Sequence, residues 1–339
     1  MISYRSLYDL VILSIRFSLV SVSLVCFGLP TLQAEPLKVV SYNVENLFYP
    51  ERDSVDGIAK DDAEWTPDGE RRWSYTRYHR KVENIARVLT NIGEWSGVDI
   101  VGLQEVENAK CVEGLCSVLR RGEYDFVHYE SPDRRGIDVA LMYKKARVDT
   151  LKSERLKVKG EMSGEYLVTR DILYVCAQVD KQDTLHFFVC HLPSQRGGKA
   201  ESEWKRQAAK QVLQRAVDSV LTVSPEAQII VMGDMNSEPK EDIIGLKNRM
   251  INDQMSAAIK PLNDENGVRG THKHQGRWTR LDQFYTSPAV EGRVYIYYTE
   301  WMMETDEKYL GLKPKRTYNG YTYQNGYSDH LPVVLQIER

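Results

Sequence analysis

Ile229-Ile230-Val231-Met232-Gly233-Asp234-Met235-Asn236-Ser237-Glu238-Pro239 is the stretch on which the reading of this chain turns. A β-favouring apolar run stops at a glycine, the pattern of a buried strand that delivers its C-terminal end to a cleft. It delivers Asp234 and Asn236. Two residues apart, they would project from one face if strand geometry persisted, setting a carboxylate beside an amide. Such a pair can grip a phosphate and a water. Gly, Asp and Asn also dominate turns for conformational reasons alone, so Gly-Asp-x-Asn by itself fits a strand-ending turn equally well.

Other fragments shift that weighting. Leu103-Gln104-Glu105-Val106 ends another apolar run, Ser41-Tyr42-Asn43-Val44 ends a third, and Tyr327-Ser328-Asp329-His330-Leu331-Pro332 opens the last. Between strands the chain shows helical periodicity. Tyr78, Val82, Ile85, Ala86, Leu89 and Ile92 recur every three or four residues, which predicts an amphipathic helix. Trp204, Ala208, Val212 and Ala216 repeat every fourth residue and predict a second over Glu201–Leu221. Strand and helix alternate at the ends of the chain and strands follow one another in the middle, which favours mixed over purely parallel sheets.

The motifs "SYNVENLF" (41–48), "DIVGLQEVEN" (99–108), "VCHLPSQRGG" (189–198), "VMGDMNSEP" (231–239), "RLDQFYTS" (280–287) and "GYSDHLPVV" (326–334) occur in that order. With them the chain, from Leu37 to about its C-terminus, resembles the endonuclease/exonuclease/phosphatase superfamily. These are metal-dependent phosphoesterases that include pancreatic-type deoxyribonuclease, abasic-site endonucleases, sphingomyelinases and inositol-phosphate 5-phosphatases. The resemblance implies an α/β fold, a four-layer sandwich of two packed mixed β-sheets flanked by helices, with residues 35–339 as that domain.

Residues 1–34 read as a secretory signal peptide. Arg5 precedes an apolar stretch interrupted by Arg16, residues 17–29 are apolar or small, and Leu32-Gln33-Ala34 offers a cleavage site. The interrupted run is short for a full membrane span. Val25 before Cys26 argues against lipid attachment. The expected location is therefore outside the cytoplasm, periplasmic or extracellular. The whole sequence carries a formal charge of −3. No global basic field marks a protein that lives by non-specific nucleic-acid affinity, although hydrolysis of nucleic acid needs only transient binding. No linker divides the remainder, which is long enough for one large core. The acid-rich stretch Glu51–Glu70 reads as a surface insertion. In "KCVEGLC", Cys111 and Cys116 lie close together in a loop-like context that an oxidising compartment could close as a local disulfide. Cys176 and Cys190 fall on two β-like runs, equally compatible with buried thiols or a bridge.

Glu105 ends a buried strand, where a carboxylate is costly unless paired or bound to a cation. Mg²⁺ or Mn²⁺ suits it, since these hard ions take oxygen ligands and often only one or two protein carboxylates. Asn43 adds a neutral amide oxygen. The resemblance implies that Glu105 and Asn43 hold or flank the metal, with Asp329 and Asp282 nearby. It also makes Asp282 the carboxylate that orients His330, an arrangement that suits a general base for water. His191 is expected to contact or protonate the phosphate, Asp234 to orient the water, and Asn236 to stabilise charge on phosphoryl oxygens. Arg170 matches a phosphate-binding position, to which a planar guanidinium is suited, with a surface salt bridge as the alternative. Asp138 resembles a position near the site without a defined role.

Substrate choice is less legible. Arg316, Tyr318 and Tyr321, among glycines just before Ser328-Asp329-His330, are expected to line the substrate entrance, and the "VYIYY" run (294–298) to pack on the core. Aromatic residues there could stack bases or insert at a membrane surface. The expected substrate is a phosphodiester, nucleic acid first, with a lipid or small-molecule phosphoester as the alternative and an inert binding scaffold as the third. Membrane contact is implied only for a lipid substrate, and no stable protein partner is implied. Ser237-Glu238-Pro239 after Asp-x-Asn differs from the aromatic-and-Arg continuation of 5-phosphatases.

Overall fold

Period-two alternation in the apolar strands builds two cores. In the computed structural model, which describes residues 35–55, 58–195, 197–239 and 267–338, Ile230 and Met232 face one core while Ile229 and Val231 face another. Phe187 and Val189 side with the first, Phe188 and Cys190 with the second. A strand whose successive side chains are all apolar is buried on both faces. Each fully buried Phe contributes about 2–3 kcal/mol relative to exposure. The segment expected to be a leader, residues 1–34, lies outside the described residues, and so does its Cys26.

The strands of the two large sheets are β1 (Leu37–Leu47), β2 (Ile100–Val106), β3 (Tyr124–His128), β4 (Asp138–Lys144), β5 (Val148–Leu156), β6 (Ile172–Val179), β7 (Asp183–His191), β8 (Gln228–Asp234), β9 (Asp282–Thr286), β10 (Arg293–Ile296) and β11 (Val333–Ile337). The helices are α1 (Tyr75–Gly93), α2 (Ala109–Leu119) and α3 (Glu203–Val223). One sheet runs β10-β11-β1-β2-β4-β3, the other β9-β8-β7-β6-β5. Both are mixed, with β1/β2 and β7/β8 as the parallel pairs. The shared core joins α1, α2, the first sheet and the inner face of the second, and α3 covers the outer face of the second. That is the four-layer sandwich. Where the sheets meet, a Cβ on Gly102 would come within 2.9 Å of the Met232 sulfur.

Several elements depart from the sequence reading. The loop-like 111–116 segment is helical: Asn108 caps α2 by accepting the Cys111 N–H at 3.2 Å, and Cys111, Val112 and Leu115 form its buried stripe. Five residues climb about 7.5 Å along a helix, beyond disulfide reach, and both thiols are free. Cys176 and Cys190 are free too. The buried stripe of α3 is Ala209, Leu213, Val217 and Leu221, one residue beyond the expected one. Arg206 and Lys210 are also buried on that face, which their polarity gave no reason to expect. Glu51–Glu70 is not simply a surface insertion, since Lys60, Asp62 and Trp65 are buried and the Trp65 ring stacks on Phe48 at 4.7 Å.

Candidate active site

Topology gathers the polar strand ends. Asn43 lies in β1 near its C-terminal end, beside β2, whose end carries Glu105; in the other sheet, parallel β7 and β8 end on His191 and Asp234, which are register partners. β9 runs antiparallel to β8, so its first residue, Asp282, pairs with Asp234. β11 runs antiparallel to β1, and His330 sits just before it. Side chains scattered along the whole sequence therefore converge at one end of the sandwich.

Local backbone chemistry aims them. Gly233 has φ +140, and a Cβ there would sit 1.9 Å from the Cys190 carbonyl oxygen, so only glycine lets β8 approach β7 as Asp234 arrives. Strand geometry does not persist to Asn236, whose φ is +50. Its backbone N–H instead donates to Asp234 Oδ1 at 2.8 Å, and its Nδ2 to the Leu192 carbonyl at 2.8 Å. Gly-Asp-x-Asn is thus a turn and part of the site at once. Glu105 has φ +64 at a register shift in β2, and Asn46 N–H donates to its Oε2 at 2.9 Å. Asn43 Nδ2 donates to Asp234 Oδ2 at 3.2 Å, and Asn43 Oδ1 accepts the Glu45 N–H at 3.0 Å.

Asp282 Oδ2 lies 2.7 Å from His330 Nδ1. Ser328 Oγ accepts the His330 N–H at 3.0 Å and donates to the Asn43 carbonyl at 2.7 Å, tying the His330 turn to β1. His330 Nε2 then stands 3.9 Å from Asp234 Oδ2, and His191 Nε2 stands 3.6 Å from the same oxygen and 3.9 Å from Glu105 Oε1. These gaps suit an intervening water or phosphoryl oxygen. Burial alone would lower the His330 pKa, but Asp282, Asp234 and Asp329 outweigh it and hold the imidazole well above its usual range. Burial pushes Asp234 up to about 7, with Asp282 and Glu105 adding to the rise and His330 opposing it. Burial, with Arg170, Arg135 and His330, holds His191 well below its usual range and so neutral.

Arg170 is buried and directed into the protein. Its Nε donates to the His191 carbonyl at 3.1 Å, Nη2 to the Leu192 carbonyl at 3.1 Å, and Nη1 to Asp133 Oδ2 at 2.9 Å. This arrangement braces the end of β7. Arg316 bridges Glu45 Oε1 at 3.0 Å and Asp329 Oδ2 at 2.9 Å. Tyr318, expected at the entrance, is instead 3% exposed, packed edge-on against Trp65 and donating to the Arg71 carbonyl. Tyr321 is exposed. The 316–327 strap is held by successive turns of α1, with Arg77, Lys81, Asn84 and Arg87 all donating to it. Asp138 is buried and groups with half-buried His128 and Glu130 in a separate cluster.

The sequence reading missed Glu45, Lys81, Asp133 and His272. Glu45 lay inside "SYNVENLF", and Lys81 fell on the predicted apolar face of α1, where a lysine signals a buried partner. Its Nζ meets Thr317 Oγ1 at 2.5 Å and the Tyr327 carbonyl at 2.7 Å. His272 follows no pattern, but its ring lies 4.7 Å from that of His330, and burial lowers its pKa to about 4.

The donor set fits a hard divalent cation. Among the described residues Glu105 Oε1 has only the long approach of His191, and Asp282 Oδ1 is buried with no hydrogen-bond partner. With Asn43 they offer oxygen, which Mg²⁺ and Mn²⁺ prefer. Asp329, the third expected ligand, is ion-paired with Arg316.

A family model for the endonuclease/exonuclease/phosphatase family matches residues 38–339. The chain belongs to this family. Solved structures share the fold at low identity. A mannosyl-6-phosphatase from Bacteroides thetaiotaomicron is 15% identical, with 89% of this chain and 100% of that one covered and a TM-score of 0.56. A truncated TDP2 from Caenorhabditis elegans is 17% identical over 91% and 100%, at 0.54. The catalytic domain of human nocturnin is 17% identical over 91% and 96%, at 0.51. No curated protein sequence matches the chain. This member of the endonuclease/exonuclease/phosphatase family therefore has a phosphoesterase-type fold, and its substrate must be sought in its own residues.

Proposed function

We propose that the protein is an exported, Mg²⁺- or Mn²⁺-dependent phosphodiesterase that cleaves its substrate by attack of water, with nucleic acid as the first substrate class. The observation that carries the hydrolytic reading is the convergence on Asp234: Asp282 fixes His330, and both His330 and His191 face one Asp234 oxygen across gaps of 3.9 and 3.6 Å. Asp234, at about 7, is matched to accept a proton from water near neutral pH. His330, held charged, stabilises Asp234 as a carboxylate and offers Nε2–H to a phosphoryl oxygen. Asp234 and His330 thus act as one coupled acid–base pair facing the attacking water. Neutral His191 donates a hydrogen bond, and the remaining Asn236 amide N–H can face a phosphoryl oxygen. Glu105 and Asn43 would hold the cation, which when bound supplies Lewis-acid stabilisation of phosphoryl charge.

A small-molecule phosphoester is the second reading, favoured because Arg170 and Arg316 are already committed to internal carboxylates. The test is hydrolysis of single-stranded DNA, RNA, sphingomyelin, bis-p-nitrophenyl phosphate and a sugar phosphate, with and without EDTA. Cleavage of nucleic acid and of the nitrophenyl diester, abolished by EDTA and restored by Mg²⁺ or Mn²⁺, is expected. Preference for the monoester selects the second reading, and undiminished activity in EDTA removes the metal from both.

A further inference from the structure

We propose a second metal site, for a borderline transition-metal ion of the zinc type, formed by His128, Glu130 and Asp138 at the edge of the first sheet. One ligand atom from each lies within 4.8 Å of the others. Backbone register explains the grouping. His128 ends β3 opposite Ala140 of β4; continuing that antiparallel register places Glu130 opposite Asp138, and alternation puts His128 and Glu130 on one face.

A cluster alone would mean little, but two of its atoms are left over. Asp138 is 2% exposed, and its Oδ1 accepts from both Ser131 N–H, at 3.1 Å, and Ser131 Oγ. Among the described residues its Oδ2 has no hydrogen-bond partner, and neither has His128 Nε2, whose side chain is 3% exposed. Burial of unmatched polar atoms is costly. The two face each other at 3.7 Å, too far for a hydrogen bond. At Zn–N and Zn–O lengths of about 2.0–2.1 Å, tetrahedral ligands stand roughly 3.3 Å apart. The gap therefore suits a shared ion after a small side-chain adjustment.

Among the described residues the neighbouring cations are engaged elsewhere. Lys60 Nζ bonds Glu130 Oε2 at 2.6 Å and Asp53 Oδ2 at 3.1 Å, and Arg155 takes Asp171 and the Glu130 carbonyl. Glu130 would contribute its other oxygen. Ser131, by fixing Asp138 Oδ1, supplies the outer contact that orients a ligating carboxylate. An imidazole among two carboxylates favours Zn²⁺ over Mg²⁺.

The test uses the whole protein, stripped with chelator, held in saturating Mg²⁺ and titrated with Zn²⁺. Bound zinc is counted after desalting, and the melting temperature is followed. Wild type should retain one zinc per chain at micromolar free zinc and melt higher with it. His128→Gln and Asp138→Asn should lose that equivalent, and Glu105→Gln should keep it. Co²⁺ at the site should give the visible absorption of a low-coordinate N/O centre. If Asp138→Asn misfolds, judged by circular dichroism, His128→Gln and the wild-type titration decide. Zinc content unchanged in His128→Gln, or no zinc retained and no thermal shift in wild type, overturns the proposal and leaves a bridging water as the occupant.

Discussion

Among the described residues two histidine–carboxylate clusters stand out, and their closest approaches differ by about one ångström. In the first, His330 Nδ1 stands 2.7 Å from Asp282 Oδ2, and the pair is hydrogen-bonded. In the second, His128 Nε2 stands 3.7 Å from Asp138 Oδ2, and neither atom is satisfied. At the shorter spacing a proton is the shared particle, which fixes tautomer and charge for acid–base work. At the longer one the same residue types leave room for something larger. Donor identity alone does not separate proton chemistry from metal binding, whereas spacing and satisfaction do.

The sharpest way to break this contrast is to remove each imidazole. His330→Ala should cost at least about a hundredfold in turnover, while His128→Gln should leave turnover in saturating Mg²⁺ unchanged. Equal losses would show that the second cluster also serves the chemistry. Glu105→Gln comes next. It should raise the Mg²⁺ concentration needed for half-maximal rate by on the order of ten- to a hundredfold with the fold intact, as read by metal titration of activity and by circular dichroism.

Asp282→Asn should lose less than His330→Ala, because the imidazole remains. Its effect on stability has a definite sign. Since the folded pKa of His330 is raised, the stability from its pairing is fully present below the ordinary histidine pKa and is lost as pH rises through the folded value. In metal-free buffer the gap between wild type and Asp282→Asn should therefore be widest at acid to neutral pH and close at alkaline pH. Every tenfold gain in proton affinity on folding corresponds to about 1.4 kcal/mol. A gap that widens with pH would reverse the assignment.

The smallest expected effect concerns Glu107, two residues past Glu105. Burial pushes it up to about 8; its Oε2 accepts the Tyr49 N–H at 2.7 Å, and among the described residues its Oε1 has no hydrogen-bond partner. Its folded pKa is raised, so wild type loses stability as pH climbs from the ordinary carboxylate range through about 8. Glu107→Gln should match wild type at about pH 4, where the carboxyl is neutral in both states, and be more stable by on the order of 1–3 kcal/mol by about pH 8, in thermal melts at both values. Glu105 would then serve a cation and Glu107 a proton from the end of one strand.

Much of this was legible in the sequence because it is local. Apolar runs ending in Gly-Asp, Gln-Glu and Cys-His mark strand ends by periodicity alone, and those ends proved to meet. The rest depends on partners far along the chain. Tyr318 was misplaced because Trp65 and Arg71 bury it, and Arg170 gave no sign that the carbonyls of His191 and Leu192 would claim its fork. Cys111 and Cys116 misled because a short helix capped by Asn108 resembles a loop when its apolar stripe includes cysteine.

The position of β11, between β1 and β10, has a consequence for how the protein comes into being. Leu37 pairs with Ile337, and His330 enters the site only when β11 docks beside β1. During synthesis β1 must wait for β11, the last of the described strands, and such long-range pairing folds slowly. A nascent chain whose residues 316–337 have not yet emerged has no place to seat His330 and leaves the Lys81 ammonium without its Thr317 and Tyr327 partners. Until β11 docks beside β1 the His330–Asp282 pair is not assembled, so the candidate site is among the last features of the fold to be completed.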